Sequence, residues 1–577
     1  MQAFNARQIS LYTHGLEPLF ADISCSLSAR MTGLIGRNGI GKSLLGEIFC
    51  GLRAPDSGTV ERRGICGIYR QQQEPKLLTA AASRVDGPSS QVPTMQIGSC
   101  LSQCLGLATR LQALTQIEQG CCDSHWFEQL NDDWQVRQTF FELCRELGLP
   151  AEPELEFERL SGGQQAKLKL WRLFQSEADW LLLDEPSNHL DRGGRQWLRQ
   201  RMSAFSGQIL LISHDIDLLR QMDEIWELNS LGLDSYGGNY DSYWHQHTLA
   251  QQALERRLEN VVKARRQVRK QAQLSRERAQ QRAAKGEKLA RSGSQAKVLL
   301  DRQKERAGAN AAAMATRERR HQRLLDSELA GLKQQCEQRH RHRHRHRHRH
   351  RHRHRQNLTL GRETHGQPVV KQTLVRLLDA VLPYGSREPI NLTLSSGEKL
   401  RLVGANGSGK SSLLRVLQAR LALSSGQVQL NGHSVYLDQH FSLLKPEWTL
   451  LETLQRCAQV DSSPIDHNQV NPSLMDDSQR RTLLAQIGFR AEQVHRTVAC
   501  LSGGEKMKLA MLYVSHQRGN PLLLLDEPDN HLDIESKARL AAALATYPGA
   551  FILVSHDEEF VAQTGIEEAF SLSNSGS

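Results

Sequence analysis

The chain has 577 residues, 39% of them hydrophobic and 24% charged, with a formal net charge of +10 and a mean hydropathy of −0.51. That length exceeds a single core and fits two domains plus a connecting arm; no apolar run reaches the roughly 18 residues of a membrane-spanning helix. Eleven cysteines without a repeated C-x-x-C spacing argue against a zinc or iron–sulfur framework and read as free thiols.

The first residues lack the apolar core of a signal peptide, so a cytoplasmic address is expected. Strand-like alternation follows, over residues 8–11 and 19–27, and then an apolar strand, Met31-Thr32-Gly33-Leu34-Ile35. It runs into Gly36-Arg37-Asn38-Gly39-Ile40-Gly41-Lys42-Ser43, a complete G-x-x-x-x-G-K-S loop ahead of an apolar helix through Leu44, Leu45 and Ile48. Glycines there let backbone N–H groups wrap phosphates, Lys42 reaches the β- and γ-phosphates, and Ser43 is placed to ligate Mg²⁺. Gln71, after the strand 65–69, is a candidate metal- and water-sensing glutamine. Residues 76–158 read as a mostly helical region in which Trp126, Trp134 and the Phe140-Phe141 pair are expected in the core.

Next come Leu160-Ser161-Gly162-Gly163-Gln164, opening a helix, and the apolar strand Leu181-Leu182-Leu183 ending in Asp184-Glu185-Pro186. Asp184 suits Mg²⁺ coordination and Glu185 suits orientation or activation of an attacking water. Ser187-Asn188-His189-Leu190-Asp191 follows directly, and a strand over 209–212 delivers Ser213-His214-Asp215, whose His214 is placed to contact a γ-phosphate.

This ordered set resembles the ATP-binding cassette ATPases. Residues 187–191 resemble the D-loop of the ABC-F subfamily, soluble tandem-cassette proteins that act on ribosomes. Tyr236-Gly237-Gly238-Asn239-Tyr240-Asp241-Ser242-Tyr243 resembles the stretch that leads into that subfamily's interdomain linker.

Residues 248–356 separate the two halves. Between positions 251 and 355 there are 31 Lys and Arg against 10 Asp and Glu, a balance of +21 in a chain whose total is +10, so everything else sums to −11. A concentrated basic arm aimed at a polyanion has this pattern, whereas a hairpin that is only solvated would mix both signs. Leu254, Leu258, Val261 and Val268 form a coiled-coil-like stripe, and Leu325, Leu329 and Leu332 form a second on the return side. The segment therefore reads as a helical hairpin whose turn lies within 291–310. Residues 339–355 alternate strictly, nine Arg with eight His. Such a tract can bind phosphates, chelate transition metals through neutral imidazoles, or be a low-complexity expansion at a tolerant junction.

The motifs then repeat. Gly404-Ala405-Asn406-Gly407-Ser408-Gly409-Lys410-Ser411 is a second P-loop, Gln439 a second glutamine, and Ser502-Gly503-Gly504 a second signature. Asp526 and Glu527 repeat the carboxylate pair, residues 529–533 the D-loop, and His556 the switch histidine. Tyr384, and less clearly Tyr12, are candidates to stack on adenine. Gln71 lies 90 positions before Ser161 but Gln439 only 63 before Ser502, so the first half carries about 27 extra residues, near 99–133. In the resembled subfamily an insertion here forms a ribosome-touching arm; this one is not basic.

The expected fold class is α/β: two P-loop cassettes, each with a mixed β core and a helical subdomain, at 1–247 and 357–577, joined by a long α-helical hairpin. The resemblance implies a Mg²⁺-dependent ATPase whose sites form head to tail. One holds Lys42, Ser43, Asp184, Glu185 and His214 facing Ser502, Gly503 and Gly504. The other holds Lys410, Ser411, Asp526, Glu527 and His556 facing Ser161, Gly162 and Gly163. It further implies a monomer with intramolecular cassette pairing, no membrane subunit, and contact with ribosomal RNA, and with tRNA in some members, through the linker. Protection of ribosomes from antibiotics is a second role within the subfamily. The competing classes are the ATPase subunit of a membrane transporter, which the basic hairpin does not fit, and a DNA-repair ATPase, which charge alone does not separate.

Overall fold

In a computed structural model the described residues are 2–12, 18–70, 76–79, 98–188, 190–229, 232–291, 316–317, 320–331, 372–438, 441–457, 476–489, 491–501, 503–515, 520–530 and 532–572. Gln71, Gln439, Ser502, Leu332, the hairpin turn and the Arg-His tract lie outside them. The chain divides into two units, Met1–Tyr240 with His352–Ser577, and Asp241–Arg351.

The first unit holds both cassettes. In the first, an antiparallel sheet orders Pro18–Ser26, Phe4–Tyr12 and Ser57–Arg62. A seven-stranded sheet runs Gly232–Gly237, Glu224–Asn229, Met31–Gly36, Gln208–Ile212, Trp180–Asp184, Ile65–Arg70, Lys76–Thr79. Its inner strands are parallel, and the two edge strands are antiparallel. Trp180-Leu181-Leu182-Leu183 is buried at every position, the run expected of a parallel strand covered on both faces. Between the sheets Phe4 stacks on Phe49 with centroids 4.3 Å apart and meets Trp180 at 5.4 Å. The second cassette repeats the plan with a parallel sheet ordered Ser434–Leu437, Leu522–Asp526, Phe551–Val554, Lys399–Val403, Glu568–Ser571. Parallel strands end on a common edge, and the two P-loops, the carboxylate pairs and the histidines 214 and 556 lie at or just after the C-terminal ends of these strands; ligands bind there in open α/β sheets.

The extra residues of the first helical region fold as Ala108–Glu118 and Ser124–Leu130, ahead of Val136–Leu147. The expectation of an aromatic core there holds for Phe140, which is fully buried. Trp134 and Phe141 are exposed, at 53% and 45%, and Trp126 is half-buried. The reason is helical phase. Val136, Phe140, Cys144 and Leu147 share the inward stripe, and Phe141 lies about 100° round the helix from its neighbour.

In the second unit one helix runs Tyr240–Arg291, 52 residues, or about 78 Å at a rise of ~1.5 Å per residue. Val261 and Leu329 are buried against each other, with Leu254, Val262 and Leu325 packed around them. Arg257–Glu328 at 3.3 Å and Arg265–Asp326 at 2.7 Å bind the helical segment 320–331 to this long helix. Leu254 and Val261 of the first stripe thus pack with Leu325 and Leu329 of the second.

Candidate functional site

Each P-loop joins a buried strand to a helix, Lys42–Cys50 in the first half and Lys410–Leu417 in the second. The helix N-caps are Gly41 and Gly409, with φ of 99° and 97°, a conformation open to glycine. A Cβ on Gly41 would come within 2.7 Å of Leu19, and one on Gly409 within 2.8 Å of the Tyr384 carbonyl. The loops are therefore closed over by the strand-to-loop segments that carry Leu19 and Tyr384.

Lys42 Nζ donates to the Gly36 and Arg37 carbonyls at 2.7 and 3.1 Å and lies 2.9 Å from His214 Nε2. Lys410 Nζ donates likewise to Gly404 and Ala405 at 2.7 and 2.8 Å. Burial pulls both ammonium groups below the usual lysine range. Glu185, Asp533 and Asp184 oppose this at Lys42; Glu527, Asp191 and Asp526 oppose it at Lys410. At each lysine one of these carboxylates comes from the other cassette, Asp533 on Lys42 and Asp191 on Lys410.

Ser43 hydrogen-bonds the Asp184 carboxylate, which burial pushes up against that bond and the Arg70 and Lys42 charges. A hydroxyl and a carboxylate side by side are the hard oxygen donors that fit Mg²⁺, an ion that draws its remaining ligands from phosphates and water. Asp526 instead accepts from the Tyr436 hydroxyl at 2.8 Å, a partner the motif reading missed.

Glu185 and Glu527 follow these aspartates with φ of 48° and 49°. Their backbone N–H groups donate to Ile212 and Val554 at 2.8 and 2.9 Å, so sheet hydrogen bonds hold both residues in a sparsely populated conformation of the kind found at functional sites. Glu185 Oε1 is 3.7 Å from His214 Nε2, and Glu527 Oε1 is 3.5 Å from His556 Nε2. Burial pushes the Glu185 carboxyl up to about 7, with Lys42 opposing and Asp184 adding. Burial, then neighbouring cations, drives His214 well below its usual value and His556 to about 4. Asn38 Oδ1 stands 3.1 Å from the same His214 nitrogen.

Ser161 caps the helix Gly162–Phe174 in a reciprocal capping box with Gln164, leaving the Gly162 and Gly163 amides at a positive helix end. Gly503 and Gly504 open the matching helix Gly503–Ser515. Lys508 on that helix is pulled down by burial, then by Arg539 and Arg37, so it lies within electrostatic reach of the first P-loop. Arg37 forms an ion pair with Glu535 at 2.7 Å, and the Asn406 N–H reaches Asp191 Oδ2 at 3.5 Å. Tyr12 and Tyr384 are exposed, at 45% and 70%.

Sequence reasoning also missed the ion pairs Arg195–Asp215 at 3.1 Å and Lys537–Asp557 at 2.7 Å, which tie the helix after each D-loop to the residue after each switch histidine. The signal was present: a cation four residues beyond Asp191 and Asp533, in both halves.

The ABC transporter family profile matches residues 20–188 and 388–530. The chain is 28% identical over 573 residues to the probable ATP-binding protein YheS of Haemophilus influenzae, covering 96% of this chain and 77% of that protein. It is 28% identical to the ATP-binding protein Uup of Escherichia coli, covering 92% and 74%. A solved archaeal ribosome recycling factor, aABCE1, in complex with the ribosomal stalk protein aP1, aligns over 98% of this chain and 87% of its own at 16% identity and a TM-score of 0.48.

Proposed function

Since this chain belongs to the ABC transporter family, as a tandem-cassette ATPase of the ABC-F type, we propose that it couples ATP turnover between its cassettes to a linker that engages the ribosome. ATP hydrolysis is the activity of the class; the residue roles and the ribosome are our reading. Among the described residues no helix is long and apolar enough to cross a membrane, and we place the protein in the cytoplasm.

Lys42 and Lys410 take the phosphates in place of the loop carbonyls they now bond. Glu185 and Glu527 hold the attacking water by accepting its proton, while His214 and His556 stay neutral and steady the same oxygen. Ser43 with Asp184, and Ser411 with Asp526, would hold Mg²⁺, which supplies charge neutralisation at the phosphates. The signature amides at Gly162–Gly163 and Gly503–Gly504 face the nucleotide of the opposite half, so bound ATP joins the cassettes and its loss frees them. Tyr12 and Tyr384 supply exposed faces for the adenine, and Gln71 and Gln439 sense the metal and water.

The observation that carries the ribosome reading is the linker. It concentrates a balance of +21 on a segment built around a 52-residue helix, in a chain that is otherwise acidic. The test is ATPase stimulation by purified ribosomes against duplex DNA at equal phosphate, together with capture of the Glu185→Gln/Glu527→Gln chain in ATP and identification of the bound particle. Ribosome stimulation is expected; stimulation by duplex DNA alone would move the protein to DNA work. Addition of antibiotic-stalled ribosomes separates ordinary translation from ribosome protection.

A further inference from the structure

Among the described residues, three ion pairs cross from one cassette to the other with the same polarity. Arg37, Arg192 and Arg220 of the first half reach Glu535, Glu558 and Glu559 of the second at 2.7, 3.8 and 3.2 Å. The motifs align the two halves residue by residue, so the counterpart of each charge is known. Where the first half has Arg37, Arg192 and Arg220, the second has Ala405, Ile534 and Ala562; where the second has Glu535, Glu558 and Glu559, the first has Gly193, Ile216 and Asp217. Five of these six counterparts are uncharged. The sixth, Asp217, is engaged by Arg220 of its own half at 3.2 Å.

The contacts at the P-loop lysines are not polarised in this way, since Asp533 acts on Lys42 and Asp191 on Lys410. The pairs inside each half, Arg195–Asp215 and Lys537–Asp557, keep the same sign order in both. Two of the glutamates are also held by cations of their own cassette, Glu558 by Arg401 at 2.9 Å and Glu535 by Arg539, so their carboxylates are positioned before the first half arrives.

We propose that these contacts form a one-way pairing code: the first cassette presents arginines that accept only the glutamate-bearing face of the second cassette as closing partner. The partner is thus the other half of this chain and not a like half of a second copy. Two first halves would set Arg37 and Arg192 opposite Gly193 and Ile216, and Arg220 opposite an Asp217 already engaged by its own half; two second halves would set the three glutamates opposite Ala405, Ile534 and Ala562. Exposed pairs add little affinity, but charges brought to a seam where they meet no opposite charge disfavour the wrong partner, which is how an interface gains specificity. The code is also lopsided. Its shortest contact, Arg37–Glu535, stands on the P-loop of the first site, while the positions equivalent by motif at the second site, Ala405 and Gly193, carry no charge. Hence the first site has an ionic clasp that does not depend on nucleotide.

This rests on the ATP-driven closing proposed above. The experiment uses the full chain with one dye on each cassette, and reads the ATP concentration that gives half-maximal energy transfer at several salt concentrations. Arg192 and Arg220 lie outside the nucleotide loops, so R192E/R220E changes the code without touching a P-loop. It is expected to raise that concentration about tenfold or more at low salt, with the gap narrowing as salt screens it. R220E and E559R alone are each expected to weaken closing, and the exchanged pair R220E/E559R to recover most of the loss. Light scattering should show the wild-type chain closing as a monomer. Closing of R192E/R220E at wild-type ATP concentrations, or losses that simply add in R220E/E559R, overturns the code. A wild-type chain that shows no ATP-dependent transfer removes instead the closing mechanism on which it rests.

Discussion

The Lys42 ammonium stands 2.9 Å from Nε2 of His214. Facing an ammonium, which can only donate, Nε2 is an acceptor and the ring neutral, and the Asn38 Oδ1 3.1 Å from the same nitrogen is then a contact without a hydrogen bond. Burial and then Lys42 itself keep the imidazole from taking a proton. The lysine is therefore bonded to loop carbonyls and to the switch histidine at once, and a γ-phosphate would replace all three partners with one stronger anionic acceptor.

Replacement of Glu185 and Glu527 by Gln is expected to leave ATP binding intact and to reduce steady-state hydrolysis by about 10²–10⁴-fold, the range for loss of a positioned proton acceptor. Nucleotide binding and phosphate release, measured on one preparation, check both halves. With only Glu527 changed, the remaining first-site activity should fall as pH drops through about 7, because the Glu185 carboxyl is pushed up to about 7 and must be ionised to act. A pH–rate profile flat across that value would remove Glu185 from the role.

His556 makes stability depend on pH with a defined sign. Its folded value is depressed to about 4 by burial, then by Lys410 and Arg195, against about 6.5 unfolded. The unfolded chain therefore takes up the proton first, and stability is lost as pH falls from about 6.5 toward 4. Between pH 7 and pH 5 the loss from this residue is about 2 kcal/mol. Urea unfolding at the two pH values should show a smaller decrease for His556→Gln than for the native chain.

Phe140 and Phe141 are adjacent in sequence and opposite in environment. Phe140→Ala should cost about 3–5 kcal/mol, as large-to-small changes in a core do, and Phe141→Ala under about 0.5 kcal/mol, as isolated surface changes do. Thermal unfolding of the two variants measures the contrast; equal losses would mean that Phe141 is covered.

Removing one heptad from each strand of the hairpin should withdraw its tip by about 10 Å while the Val261–Leu329 contact keeps the stalk paired. ATP binding and basal hydrolysis should persist, because the motif residues lie in the cassettes, and ribosome-stimulated hydrolysis should fall. Stimulation that survives the loss of two heptads would separate the linker from the ribosome.

The residues that the structure gathers around Lys42 and Lys410, the carboxylate pairs and the two histidines among them, were legible in the sequence because the motifs set particular residue types at short, fixed spacings. The α/β class followed from apolar strands that alternate with helical patterns. The Arg37–Glu535 pair was not legible: 498 positions separate its members, and neither residue type is unusual where it stands. Nor was the exposure of Trp134 and Phe141, since an aromatic residue beside a core position looks the same in sequence whichever way the helix turns it. Tyr436 escaped for another reason. Its hydroxyl reaches Asp526 from a neighbouring strand, and strand pairing across 90 residues leaves no local pattern.

The left-handed backbone of Glu185 and Glu527 sets the chain's activity against its own stability. At φ near 48° a glycine is at ease and a glutamate is strained by about 1–2 kcal/mol, and the Glu185 side chain is also half-buried. Glu185→Gly should therefore melt no lower than the native chain, and by this count higher, while failing to turn over ATP at that site. Selection for stability alone would disfavour a glutamate at these two positions, and the water-holding role proposed above is a function that offsets such a local loss.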